Sequence, residues 1–426
     1  MKHSLLFRPG LALPLALAGL ALAPAVAAAQ PADLPGLEPA EPAEPVEAAA
    51  PIEPVAAVVP VEAAPAPASA DAGVKVSYDK GLTFESGDGD YELKLGLRSM
   101  FRFETVRPDG GEFQSRFSTP RLRLQLEGHA YGAANGYKVE FDFANKGAAL
   151  LKDFYVEHAF AKDLRVRAGQ WKKPFNRQEL VSDFGSDFLE RSIVNEFSGA
   201  GRDLGVAVHN NYEKSPDGLE WAVGVFNGAS EKPKTAITCQ PGTLPTDPPT
   251  CTLGSPSNVP SDFGPALVAR VGWNAGGIKG YSESDLEGGG LRYAVGLSYR
   301  NNLRNLARDA NDDLTIEHAV VLDGMVKVEG LDVTAAVAVV KDGAADAELG
   351  FYGQAGYMLA PKRLLGSVRF AQIPSGAGTL NEILGGVDYF VKGHSFKWML
   401  DGGVLHDTNG AGTTGLQIRT QLQFVL

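Results

Sequence analysis

The chain has 426 residues, 44% of them hydrophobic and 21% charged, with 39 Lys and Arg against 51 Asp and Glu. That balance excludes a nucleic-acid-binding protein, which would need a basic domain. Residues 1–29 read as a signal peptide: Lys2 and Arg8 form a positive n-region, Leu11 to Leu22 an apolar h-region, and Ala27-Ala28-Ala29 before Gln30 a cleavage site. No later stretch approaches the ~18 consecutive apolar residues of a spanning helix. An exported chain that crosses a membrane without such helices must do so as a closed β-barrel, the other architecture that pairs every backbone N–H and C=O within lipid.

Residues 30–72 contain ten Pro, with Ala, Val and Glu making up most of the rest. Eight acids (Asp33, Glu38, Glu41, Glu44, Glu47, Glu53, Glu62, Asp71) carry all the charge of this block. Such a stretch buries too little apolar surface to offset chain entropy, and Pro keeps it extended. It is expected to be a disordered Pro/Ala/Glu-rich periplasmic tether. Taking Lys2 and Arg8 and the eight tether acids from the totals leaves 37 basic against 43 acidic residues in 73–426. The domain that follows is thus only about six charges negative, and most of the mature acidity belongs to the tether and the loops.

From residue 91 onward the chain alternates with period 2. In the first segment Tyr91, Leu93, Leu95, Leu97, Phe101 and Phe103 share one parity, and Glu92, Lys94, Gly96, Arg98, Arg102 and Glu104 the other. The pattern predicts sixteen strands, at 91–104, 117–128, 137–144, 151–160, 163–170, 203–212, 219–227, 264–274, 290–300, 315–328, 331–341, 348–359, 362–372, 380–391, 395–406 and 413–426. Lengths of roughly 8–14 residues suit tilted membrane strands. The junctions alternate between short turns and long loops, as in outer-membrane barrels. One junction, Ala275 to Gly289, is long on the short side, which points to a miscounted strand or a turn folded inward. The last strand carries Leu416, Ile418, Leu422, Phe424 and Leu426 on one parity and resembles the terminal signal read by barrel-assembly machinery. The expected fold is all-β, a 16-stranded antiparallel transmembrane barrel at 73–426; 18 strands, or 14 with a plug, are the alternatives.

If the apolar parity faces lipid, the other faces water. Lys94, Arg98, Arg102, Arg121, Arg123, Arg165, Arg167, Arg270, Arg292, Arg300, Arg363, Arg369 and Arg419 then line the lumen. Arg stays charged, and its planar fork grips phosphate or carboxylate oxygens in pairs. A column of such groups attracts anions and passes them along. Acids share the parity (Glu92, Glu104, Glu127, Glu140, Asp142, Asp153, Glu157, Asp401), so a weakly selective mixed-charge lumen is the alternative. The junction from Trp171 to Arg202 has Leu180, Phe184, Phe188 and Ile193 at helix-like spacing. It is expected to fold against the barrel wall and to bring Lys172 and Lys173 to the constriction. Cys239 and Cys251, in one Pro-, Gly- and Thr-rich loop of an exported chain, are expected to form a disulfide worth on the order of 3 kcal/mol. With no His nearby, two thiolates do not complete a metal site.

The runs RLRLQLEGHAYGAANGYKVEFDFAN (121–145), KDFYVEHAF (152–160), RVRAGQWKKPFNRQEL (165–180), DFLERS (187–192) and GRDLGVAVHN (201–210) resemble the phosphate-selective porin O/P family, most closely over about residues 91–227. The resemblance implies a 16-stranded outer-membrane barrel, usually trimeric, in which an arginine ladder leads to an eyelet of inward-folded loops with lysines and passes phosphate or polyphosphate. Lys327, Lys341 and Lys397 have no matched place in that eyelet. No G-x-S-x-G or H-E-x-x-H occurs, the histidines are scattered singly, and Asp88/Asp90 in SGDGDY read as a turn. Neither an enzyme nor a cofactor is expected. A barrel that merely anchors the acidic tether is the reading from another class. The expected partners are outer-membrane lipid, small anions, further copies of the chain and the barrel-assembly machinery.

Overall fold

The computed structural model describes residues 73–426 apart from 79, 109–110, 145–149, 229–233, 241–249, 258–262, 309–313 and 344. The expected signal peptide and tether lie outside the described residues. Twenty strands follow one another: β1 (Lys75–Tyr78), β2 (Leu82–Glu85), β3 (Glu92–Arg107), β4 (Gln114–His129), β5 (Asn135–Asp142), β6 (Leu150–Ala161), β7 (Leu164–Lys172), β8 (Arg202–His209), β9 (Gly218–Phe226), β10 (Lys234–Gln240), β11 (Thr250–Ser257), β12 (Ala266–Ala275), β13 (Arg292–Arg308), β14 (Leu314–Val328), β15 (Leu331–Lys341), β16 (Glu348–Ala360), β17 (Leu364–Ser375), β18 (Gly378–Lys392), β19 (Phe396–Asp407) and β20 (Thr413–Val425). Sixteen of them, β3–β9 and β12–β20, pair antiparallel in chain order. β9 pairs directly with β12, and β20 pairs with β3, so the sheet closes on itself. Each of the sixteen predicted strands has its counterpart.

The period-2 pattern predicts the faces correctly, and the faces are inverted relative to a water-soluble protein. On β12, Leu267, Val271 and Trp273 are 41–51% exposed, while Arg270 and Asn274 between them are at most 2% exposed. Apolar residues turned out and polar residues turned in suit a barrel surrounded by lipid. Gly169 of β7 marks a tight pairing. Its φ is +133°, and a Cβ there would lie 2.1 Å from the Phe154 carbonyl of β6, so only glycine fits.

Two strand pairs have too little alternation to be read in advance. β1 and β2 form a short hairpin, and β2 pairs with β3 over Leu82↔Leu95 to Glu85↔Glu92. It takes the edge of β3 that β20 leaves open, since β20 pairs only from Arg98 upward. β10 and β11 form a separate ribbon in which Cys239 stands opposite Cys251. The strands nearest the long loops also run beyond their expected ends, β3 to Arg107 and β13 to Arg308.

Candidate functional site: the lumen and its constriction

The loop 173–201 turns into the barrel, as expected, but it is not one helix. It has a single helical turn at Arg177–Leu180, a tight turn at Asp183–Gly185 and a short helix at Ile193–Phe197. The reason is where its carbonyls go. In a helix they would accept from N–H groups four residues on; here side-chain cations take many of them. Lys172 Nζ donates to Glu179 O and Val181 O at 2.6 and 2.9 Å, and Arg191 donates to Gln178 O, Glu179 O and Val181 O. From the wall, Lys397 reaches Ser186 O at 2.6 Å, Arg102 reaches Leu189 O at 3.1 Å and Arg369 reaches Glu190 O at 2.9 Å. Val181, Phe184 and Phe188 are buried, and Phe197 packs where β16 has Gly350, whose missing Cβ would lie 2.8 Å from the ring.

The basic series stands on the lumenal face of the strands, and most of it is neutralised there. Arg123 is within 3.4 Å of Glu140, Asp142 and Asp183. Arg121 bonds Asp183 and Glu190, and Arg102 bonds Glu190 at 2.8 Å. Arg165 and Arg167 share Glu157, and Arg167 also holds Glu213. Arg292 pairs with Asp285 and Glu287, Arg300 with Glu317, and Arg369 with Glu382 at 3.5 Å. Arg270 and Arg419 are likewise held, by Asp323 and Asp401. Arg363 is the exception in placement: it is exposed in the turn before β17, because that strand begins two residues later than the parity suggested.

Two cations differ. Lys94 and Arg98 on β3 are half-buried and have no carboxylate partner among the described residues; Arg98 lies over the Phe184 ring at 5.8 Å. Lys172 also lacks a carboxylate bond, but its ammonium is spent on loop carbonyls. Lys173 is buried, and burial lowers its pKa below the ordinary lysine value. Lys172 thus anchors the long loop through its ammonium, while Lys173 closes the loop's root through its backbone, its N–H donating to Gly201 O at 3.0 Å.

The loop's own acids are held ionised. Burial alone would raise Glu190 and Asp183, but the guanidiniums of Arg121 and Arg102 around Glu190, and of Arg121, Arg191 and Arg123 around Asp183, outweigh it. Both carboxyls sit below the usual carboxylate range.

The long junction after Ala275 is an inward turn and not a miscounted strand. Residues 276–291 rise into the lumen from the rim of short turns, burying Ile278, Glu283, Ser284 and Asp285. Lys327 holds this turn through Lys279 O and Ser282 O, and Lys397 pairs with Asp388. Two of the second-half lysines thus belong to the constriction; Lys341 is exposed. The acids Glu220, Glu283, Asp323, Asp332 and Asp388 were missed. The junction's length was the available signal for Glu283, and inward parity for the others.

Residues 92–240 match the model of the family described as phosphate-selective porin O and P. The resemblance read from the motifs is borne out over that segment, which contains the long loop and β3–β9. A search of curated protein sequences finds no match. Among solved structures, an anion-selective porin from Comamonas acidovorans is 12% identical with a TM-score of 0.51, covering 78% of this chain and 99% of its own. The outer membrane channel DcaP of Acinetobacter baumannii is 14% identical with a TM-score of 0.51, covering 80% and 99%. At such identities these likenesses establish a porin fold, the architecture of a channel.

Proposed function

We propose that this protein is an outer-membrane porin through which small anions, of the phosphate or polyphosphate class, diffuse passively. The supporting observation is the lumenal series Lys94, Arg98, Arg102, Arg121, Arg123, Arg165 and Arg167, carried on strands of the segment that matches a family named for phosphate selectivity. In this reading Lys94 and Arg98 supply the un-neutralised field that draws anions in. The paired arginines, with Arg292, Arg300 and Arg369, offer a route of exchangeable guanidinium contacts, and Lys172 and Lys173 hold the loop that narrows it. The lipid-facing belt, export by a cleaved signal peptide, insertion by barrel-assembly machinery and a homotrimer complete the reading, the trimer resting on the family resemblance. Because most ladder arginines already hold carboxylates, a weakly selective mixed-charge pore is the competing reading.

Reversal potential under a potassium chloride gradient separates the two. Anion selectivity with block by millimolar phosphate is expected; a large, weakly selective current indifferent to phosphate would make it a general porin. The facing positions of Cys239 and Cys251 also favour a disulfide stapling the ribbon β10–β11. Peptide mapping without reductant is expected to recover the two cysteines joined, and recovery of separate thiol peptides would refute the bridge.

A further inference from the structure

Most carboxylates that hold the arginines of β3 and β4 are shut away from the lumen. Glu104, Glu140, Asp142 and Asp183 keep at most 10% of their side chains exposed. Glu190 of the long loop differs, with 36% of its side chain open.

The arginines that meet it are fixed by other partners. β4 bulges by one residue between Ser118 and Arg121, which leaves Arg121 opposite Met100, one lumenal step from Arg102 opposite Ser118. Arg102 Nε and Nη2 donate to Gln421 Oε1 at 3.0 and 2.8 Å, and Arg121 Nε donates to Asp183 Oδ2 at 2.8 Å. A more distant carboxylate, Glu104, lies 3.9 Å from Arg102 Nη1. The free edges of the two forks converge on Glu190. Arg102 Nη2 lies 2.8 Å from its Oε1, and Arg121 Nη1 and Nη2 donate to Oε1 and Oε2 at 3.3 and 3.1 Å.

The main chain around Glu190 is held without its carboxylate. Leu189 N–H donates to Asp401 Oδ2 at 3.1 Å, Leu189 O accepts from Arg102 Nη2 at 3.1 Å, and Glu190 O accepts from Arg369 Nη1 at 2.9 Å. The side chain is therefore free to leave the forks and return while its backbone stays on the wall. Two guanidiniums aimed at one pair of oxygens suit a phosphate as well as a carboxylate.

We propose that Arg102 and Arg121 form a binding site for phosphate-like oxyanions in which the Glu190 carboxylate is a built-in competitor, giving way to each passing anion and then taking its place. The proposal rests on the anion-porin reading and names the point of the route where exchange occurs. A pore needs a site that attracts its ion and also lets it go. Two largely buried guanidiniums alone would hold a phosphate too long. Glu190 re-neutralises them as the anion departs, so the forks are never left bare.

The test is block of the chloride current by added inorganic phosphate, with the full chain in planar bilayers. Glu190→Gln keeps the shape and removes the competing charge. It is expected to lower the phosphate concentration for half-block at least about tenfold, the worth of one charge-assisted contact. Glu213→Gln removes an equal charge from another part-open carboxylate, one held by the single fork of Arg167. Both variants are expected to favour chloride over potassium, but the tighter phosphate block belongs to Glu190→Gln alone. Glu190→Asp keeps the charge one methylene short of the forks and is expected to fall between. It stands in if Glu190→Gln lacks the heat-modifiable band of a folded barrel on gels. Wild-type block in Glu190→Gln, or in Glu190→Asp where it stands in, would overturn the competitor while leaving the anion porin standing, as would an equal gain in Glu213→Gln. No current, or a current that phosphate leaves unchanged in every protein, would overturn the anion-porin reading itself, and the site with it.

Discussion

At the scale of single residues, the lumenal cations fall into two kinds that their sequence pattern does not separate. Parity along β3 and β4 assigns Lys94, Arg98, Arg121 and Arg123 to the same face, and all four stand there. Parity is silent on distance to a carboxylate, which depends on loop acids such as Asp183 and Glu190 brought in from sixty or more residues away. Lys94→Ala and Arg98→Ala leave no carboxylate unpaired and are expected to leave the barrel as stable as before while shifting the reversal potential toward non-selectivity. Arg123→Ala leaves Asp142 without its cation in a buried setting and takes one of the cations that hold Glu140 and Asp183, and is expected to cost about 3–5 kcal/mol. Chemical unfolding followed by loss of the heat-modifiable band measures that cost. Equal stability of all three variants would mean that the Arg123 pairs carry no structural weight.

The long loop shows the same division one level up. Its apolar residues predicted burial against the wall, and Phe184 and Phe188 are buried. Their helix-like spacing does not carry through as a continuous helix, because Lys172, Arg191, Lys397, Arg102 and Arg369 compete for the loop's carbonyls. Three of those five lie on distant strands, so no local window of sequence contains the reason. The loop's last helix docks at Gly350, where the wall offers no side chain. Gly350→Leu would drive Phe197 off β16, since the space its ring fills is the space a Cβ needs. A larger conductance with an undiminished folded band is the expected result, and an unchanged conductance would show that the loop is held without this contact.

For the molecule as a whole, the sixteen strands, their inverted faces and their closure were legible because a membrane barrel writes its address into every second residue. The inward turn 276–291 was legible only as an excess of length on the wrong rim. The hairpin β1–β2 has four residues in each strand, too few for alternation to rise above chance. Yet that hairpin governs how the barrel meets mechanical load. Lys75, next to the chain that runs back to the N-terminus, pairs with Glu85 at the hairpin's open end, and β2 leads on into β3 at the seam. Tension applied through the preceding chain meets the Lys75↔Glu85 pair first and parts the hydrogen bonds singly, as a zipper opens. Strands pulled lengthwise against one another would instead resist together. Under such tension the hairpin would yield and release its own length before the strain reached β3, and so stands as a fuse ahead of the barrel seam.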